Sequence, residues 1–209
     1  MYKNFHLIEH PLIKRDVTIL RDIKTTSETF RAALQRVSNV LAVEISKNFN
    51  ITSIEVETPL EKTKGAKLTS DVILVPVLRA GLGMVNGFLQ IIPEAKVGHI
   101  GLQRDEETLQ PIEYYYKVPK KIEEGEVIML DPMLATGGSA SEAIKYLKKR
   151  GAKKVFFACL VAAPEGISKI ESKHPDTKIF AAALDRELND KGYILPGLGD
   201  AGDRTFGTL

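Results

Sequence analysis

Apolar, β-rich runs recur at 72–75, 95–102, 127–130, 155–162 and 179–184, separated by helical or polar segments. Near-continuous apolar strands are buried on both faces, so this alternation predicts an α/β fold: a parallel twisted sheet flanked by helices. Two of the intervening helices are well marked. Over 139–150, Ala140, Ala143, Ile144 and Leu147 share one stripe, Gly151 is a stop, and Ser139 with Glu142 has the spacing of a capping box. A second helix is expected over 83–92, ended before Pro93. Ahead of the sheet, residues 1–70 read as an N-terminal arm. Thr25-Thr26-Ser27-Glu28 has capping-box character there, and Phe30, Leu34, Val37 and Leu41 at helical spacing predict one long helix ending near 48–50. The polar stretch 103–119, in which Tyr114-Tyr115-Tyr116 alternates faces, predicts a β-hairpin or flap; a connection this long often forms a lid.

Composition narrows the class without naming a partner. Of 209 residues, 44% are hydrophobic and 27% charged, which is ordinary for a globular protein, and no repeat breaks the chain into units. A single domain over 1–209 is expected. The net charge of +2 creates no field that would draw nucleic acid or an anionic membrane, and neither is an expected partner. The lone Cys159, inside an apolar strand, excludes an internal disulfide framework and reads as a packed, inert thiol. The first residues lack the apolar core of a signal peptide and no run is long enough to span a bilayer, so cytoplasmic location is expected.

The stretch that carries chemistry is Val127-Ile128-Met129-Leu130-Asp131-Pro132-Met133-Leu134-Ala135-Thr136-Gly137-Gly138-Ser139-Ala140: an apolar strand, an acid at its carboxyl end, a small-residue loop, then a helix. Small residues let backbone N–H groups converge on an anion, and the positive end of the next helix favours a phosphate there. Thr136 and Ser139 hydroxyls can add donors. An ionised Asp131 only accepts hydrogen bonds and suits the two hydroxyls of a ribose whose 5-phosphate lies in the loop. A nucleoside-triphosphate P-loop would need Lys after Gly138, where Ser139 stands. The near-fingerprint from Gly81 to Gly87 places its third glycine one position late for a dinucleotide site. Taken alone, Thr-Gly-Gly-Ser could equally be an ordinary structural turn.

This strand-acid-loop-helix resembles the phosphoribosyl pyrophosphate (PRPP) motif of type I phosphoribosyltransferases. The general pattern has two adjacent acids; Asp131-Pro132 departs from it and is similar to the form in the uracil phosphoribosyltransferase branch. The resemblance implies PRPP contacts from Asp131, Pro132, Met133, Leu134, Ala135, Thr136, Gly137, Gly138 and Ser139. It also implies that Arg79, in Pro76-Val77-Leu78-Arg79-Ala80-Gly81-Leu82-Gly83, faces the pyrophosphate, and that Arg104 makes a further PRPP contact. Taken alone, Arg79 could be half of a buried ion pair and Arg104 an exposed strand end.

A third region, from Gly192 to Thr208, alternates glycines with acids and an arginine and resembles the family's C-terminal uracil loop. Uracil's edge offers acceptor, donor, acceptor, which a main-chain N–H, C=O, N–H series complements. The resemblance assigns Ile194, Gly199 and Ala201 to the base, and Asp200 to the PRPP ribose or its metal as well as to the base. Asp203 and Arg204 are expected to brace the loop. The implied reaction joins uracil to the ribose 5-phosphate of PRPP, giving UMP and pyrophosphate, with Arg79, Asp131 and Asp200 as the catalytic group. Mg²⁺ is expected to arrive bound to PRPP rather than held by protein alone. A homodimer or higher homo-oligomer and a possible GTP effector complete what the resemblance implies. Two other functions compete: an RNA-binding regulator on the same fold, which would need a basic face interleaved with aromatics, and a transferase for a purine, which would need a different C-terminal loop.

Overall fold

The computed structural model describes residues 2–104 and 111–208. In chain order the elements are β1 Phe5–Leu7, α1 Pro11–Arg21, α2 Ser27–Ser46, β2 Ile51–Glu57, β3 Lys62–Leu68, β4 Val72–Leu78, α3 Leu82–Ile91, β5 Lys96–Val97, β6 His99–Arg104 and β7 Pro111–Lys117. A 3₁₀ turn, Ile122–Glu124, precedes β8 Glu126–Leu130, β9 Met133–Leu134, α4 Gly138–Lys149, β10 Lys154–Ala162, α5 Pro164–Lys173, β11 Lys178–Leu184, β12 Glu187–Leu188, β13 Ile194–Leu195 and α6 Ala201–Phe206.

The main sheet runs β1-β11-β10-β8-β4-β6-β7. Every pair is parallel except β6 with β7. Each apolar run seen in the sequence became a strand of this sheet. Successive residues of a strand face opposite ways, so the sheet serves two cores. On one side Leu74, Ile128, Leu130 and Phe156 pack with Phe30, Leu34 and Leu41 of α2 and with Met84 and Phe88 of α3. On the other, Ile73, Val75, Val127, Met129 and Phe157 pack with Ala143, Ile144 and Leu147 of α4 and Ile167 of α5. Full burial of one such large side chain is worth about 1.5–3 kcal/mol, so these two layers dominate the stability of the unit.

After β4 the chain crosses to β6, then returns to lay β8 against the other edge of β4. Loops leaving the carboxyl ends of β4 and β8 therefore diverge, which opens a crevice between them. Gly81 and Asp131 stand at those two ends. A Cβ on Gly81 would lie 2.7 Å from Val77 N and collide with Leu130 O, so only glycine allows the β4 turn to pass so close to β8.

The structure revises several expectations. The long helix expected in the arm is α2, and a second helix that was not expected, α1, precedes it, separated from it by residues 22–26. Thr26 caps α2, its Oγ1 accepting the Thr29 N–H at 3.3 Å, one residue later than the expected box. The Ser139–Glu142 box does not form: Gly137 (φ 73°) is the N-cap of α4 without a side-chain bond, and Glu142 pairs with Lys145 at 2.9 Å. β1 belongs to the main sheet, and β2–β3 is a separate two-stranded hairpin. The 103–119 segment does form hairpin arms, β6 and β7, while 105–110 lie outside the described residues. Tyr114, Tyr115 and Tyr116 lie along the β7 arm. The stretch after Gly192, expected as a loop, contains β13 and the short helix α6.

Cys159 is fully buried in β10, and burial, with the Asp131 carboxylate nearby, pushes its thiol well above the usual range. Native protein is expected to resist thiol reagents and to label only once denaturant unfolds the sheet. A stoichiometric, rapid reaction of the folded chain with a disulfide reagent would contradict this packing.

Candidate active site

A cavity of about 310 Å³ lies over the β4–β8 crevice. Its floor and one wall come from Asp131 and from Met133 through Ala140. The facing wall is Gly192-Tyr193-Ile194 and Gly199 through Gly202, with Ala80 at the β4 end. The strand-end acid, the small-residue loop and the C-terminal loop, read separately in the sequence, thus share one space.

The phosphate-type loop is stiffened from below. Ala163 N–H donates to Leu134 O at 2.9 Å, and the N–H groups of Leu160 and Val161 both donate to Pro132 O, at 2.9 and 3.1 Å. Gly166, in the first turn of α5, brings its backbone against the loop: a Cβ there would lie 2.8 Å from Leu134 Cγ and 2.9 Å from Leu134 O. Above it, α4 begins at Gly137. The first N–H groups of any helix lack intrahelical acceptors; here the N-cap Gly137 offers no side chain and only the Gly138 N–H has a side-chain partner, Thr136 Oγ1 at 3.4 Å, so the end of α4 presents its remaining donors and the positive pole of its dipole to the cavity.

Asp131 is half-buried and lines the cavity. Loss of hydration is the largest influence on its carboxyl. The Met133 N–H, donating at 3.2 Å, stabilises the charged form, while the Asp200 carboxylate across the cavity opposes it. The net result pushes Asp131 up to about 7. Asp200 itself caps α6, its Oδ1 accepting the Asp203 N–H at 2.9 Å. Two carboxylates thus face one cavity that also offers helix-end donors, a combination suited to a ligand carrying hydroxyls, phosphate and positive charge together.

Other predicted residues stand differently. Arg79 lies largely exposed at the end of β4 with Nη2 3.3 Å from Asp203, while its neighbour Ala80 lines the cavity. Pro132 is buried behind the loop rather than lining it. Arg104 closes β6, and its side chain lies outside the described residues. Ile194, Gly199, Asp200 and Ala201 all line the facing wall. Arg204 braces that wall as expected: it donates to Leu198 O at 2.8 Å, to Asp22 O at 2.6 Å and to Leu20 O, and its guanidinium lies over the Phe30 ring. Sequence reading missed Tyr193, Gly192 and Gly202 as lining residues. It also missed Arg21, Asp185 and Gly166, which touch the walls from behind.

The sequence profile of uracil phosphoribosyltransferase matches residues 7–208. The chain belongs to the uracil phosphoribosyltransferase family. Uracil phosphoribosyltransferases of Bacillus licheniformis and Finegoldia magna are 53% and 54% identical to it, each over 97% of this chain and 98% and 97% of the relative. The solved AQ2163 protein of Aquifex aeolicus is 40% identical, covers 97% of both chains and superposes with a TM-score of 0.91. A hypoxanthine-guanine phosphoribosyltransferase of Bacillus anthracis, at 13% identity and TM-score 0.52 over 76% of this chain and 80% of its own, shares the fold alone. The sheet is thus the parallel one expected from the strand pattern, and it has the type I phosphoribosyltransferase fold that the motif's resemblance implied. No described helix is long and apolar enough to cross a membrane.

Proposed function

We propose that this chain is a uracil phosphoribosyltransferase that transfers the 5-phosphoribosyl group of PRPP to uracil, giving UMP and pyrophosphate. The observation that carries this reading is the cavity in which Asp131 and the N-terminal end of α4 face the glycine-rich wall Gly199–Gly202. The α4 loop, Ala135–Ser139, would hold the 5-phosphate through N–H donors and the helix dipole. Asp131 would accept from the ribose hydroxyls and fix the sugar over the β8 end. Main-chain groups of Ile194, Gly199 and Ala201 would read the edge of uracil. Holding N1 of the base against the anomeric carbon replaces a bimolecular encounter by a positioned one, and no covalent enzyme intermediate is needed.

As uracil N1 bonds to the anomeric carbon, the bond to the pyrophosphate oxygen breaks and negative charge grows on the leaving group. Arg79, at the β4 end, would swing from its weak contact with Asp203 to meet that charge, and Arg104 would approach from the β6 end. The described residues contain no cluster of three or more His, Cys, Asp or Glu able to hold a metal alone. Asp131 and Asp200 nevertheless fit Mg²⁺ that arrives with its own phosphate ligands, and the repulsion between the two acids is relieved by such a charge. When bound, magnesium supplies positive charge at the pyrophosphate. The hairpin of β6 and β7 would serve as the lid that excludes water.

The single domain over 1–209, a cytoplasmic location, a homodimer or higher homo-oligomer and a possible GTP effector belong to the same reading and rest on the family. The β2–β3 hairpin supports an oligomer: two strands alone are marginal in water, and Ile51 and Leu60 lie exposed on it.

Pure protein supplied with uracil, PRPP and Mg²⁺ is expected to form UMP and pyrophosphate, and removal of the metal by a chelator is expected to abolish it. In competition, uracil should be taken over cytosine, hypoxanthine and adenine. Failure to form UMP, or preference for a purine, would overturn the proposal.

A further inference from the structure

The last turn of α1 lies behind the glycine-rich wall, and two of its features converge there. Arg21 donates through Nη1 and Nη2 to both carboxylate oxygens of Asp185, at 2.8 and 2.6 Å, and Nη1 also donates to Gly197 O at 2.8 Å. The same Asp185 carboxylate accepts the Gly197 N–H at 2.8 Å. Both main-chain polar groups of Gly197 are therefore held by one ion pair. The next carbonyl, that of Leu198, is held by Arg204, which also grips the carbonyls of Leu20 and Asp22 at the end of α1. Asp185 is buried and Arg21 largely so, which makes the bonds rigid and strongly dependent on their charges.

These contacts occupy Gly197 and Leu198 on the α1 side, and the following residues, Gly199 through Gly202, are the ones that line the cavity. We propose that the Arg21–Asp185 pair is a positioning device for base recognition. It sets the height and rotation of the Gly199–Ala201 segment, and so decides which pyrimidine edge the main chain accepts. Neither side chain lines the substrate cavity, so each acts through Gly197. This inference rests on the proposed base site and specifies what controls it.

The geometry dictates the test. Arg21→Lys keeps the positive charge beside buried Asp185, so the fold is retained, but an ammonium lacks the planar fork that reaches both carboxylate oxygens and Gly197 O at once. Asp185→Asn is the second variant: it keeps an acceptor for the Gly197 N–H and loses the charge. Steady-state kinetics with each substrate varied in turn should show KM for uracil raised about tenfold in Arg21→Lys and KM for PRPP changed less than twofold. The preference for uracil over cytosine should fall in parallel, and Asp185→Asn should shift both in the same direction. A variant that was merely less stable would lose both substrates together or lose active enzyme without moving either KM. An unchanged KM for uracil in folded, active Arg21→Lys overturns the positioning role while leaving the function standing. Absence of UMP formation in the unaltered protein overturns the function first.

Discussion

Asp131→Asn is expected to lower kcat/KM for PRPP by roughly a hundredfold or more, because one or two hydrogen bonds to a charged acceptor, each about 1.5–3 kcal/mol, become bonds to a neutral amide that also presents donors to donors. Its pH behaviour separates this role from a structural one. In the free protein, burial and the Asp200 charge push Asp131 up to about 7, whereas an unfolded chain ionises it near 3.8. The folded state therefore holds a proton that the unfolded state gives up. Stability falls as pH rises from about 4 to about 7, and the full penalty persists above that. Asp131→Asn removes the penalty, so the variant should melt higher than the parent at pH 8 and no higher at pH 4. Ligand binding has the opposite preference. Ribose hydroxyls and a metal-bound phosphate favour the carboxylate, so PRPP binding below pH 7 must release its proton, and affinity should rise with pH up to about 7. Calorimetry in buffers of different ionisation heat reads that proton directly. PRPP has ionisations of its own, so the decisive quantity is the difference between parent and variant profiles. Equal proton release by both proteins at pH 6, or near-parental kinetics in Asp131→Asn, would refute the ribose role.

What could be read from the sequence, and what could not, follows from the range of each interaction. The strands of the parallel sheet were visible because burial on both faces leaves an uninterrupted apolar run, as in β10, where every residue after Lys154 is buried. The Asp131 loop was visible because strand, acid, glycines and helix are consecutive in the chain. The α1 helix carried a readable signal, Pro11 at its start with Ile13, Val17 and Leu20 on one face, but its brevity hid it beside the longer α2. The β2–β3 hairpin gave no period-two signal because nearly all of its residues are exposed on both faces. The pairing of Arg21 with Asp185, separated by 164 positions, leaves no local trace at all. Residues that line the cavity sit in recognisable loops. Those that hold the loops in place are spread over the chain and emerge only with the fold.

Gly166 shows how much rests on such a remote position. It lies in the first turn of α5, makes no contact with the cavity, and in the sequence is merely the third residue of Pro-Glu-Gly at a helix start. Yet a methyl group there would meet Ala135 O and Leu134 O, both backbone atoms of the loop proposed to hold the 5-phosphate, at 2.5 and 2.9 Å, distances that no rotamer change relieves. Gly137, with its left-handed φ of 73°, leans on the same spot: its own Cβ would fall 3.0 Å from Gly166 O. The two glycines thus let α5 and the loop that starts α4 pass at backbone contact. Gly166→Ala must move either α5, which Ile167 and Ile170 anchor in the core, or the loop, where Leu134 is anchored in the same core but Ala135 is half-buried and Thr136 exposed, so the displacement falls on the Ala135–Thr136 side. Overpacking of this kind costs about 1–3 kcal/mol of stability, which a sheet buried on both faces tolerates. Catalysis is less forgiving, since a displacement approaching 1 Å in a positioning loop can cost on the order of a hundredfold. The expected result is a folded variant with KM for PRPP raised ten- to a hundredfold and KM for uracil little changed, the mirror image of Arg21→Lys. If Gly166→Ala binds PRPP as the parent does, the 5-phosphate is not held by the Ala135–Gly138 backbone, and the loop's contact with α5 has only a packing role.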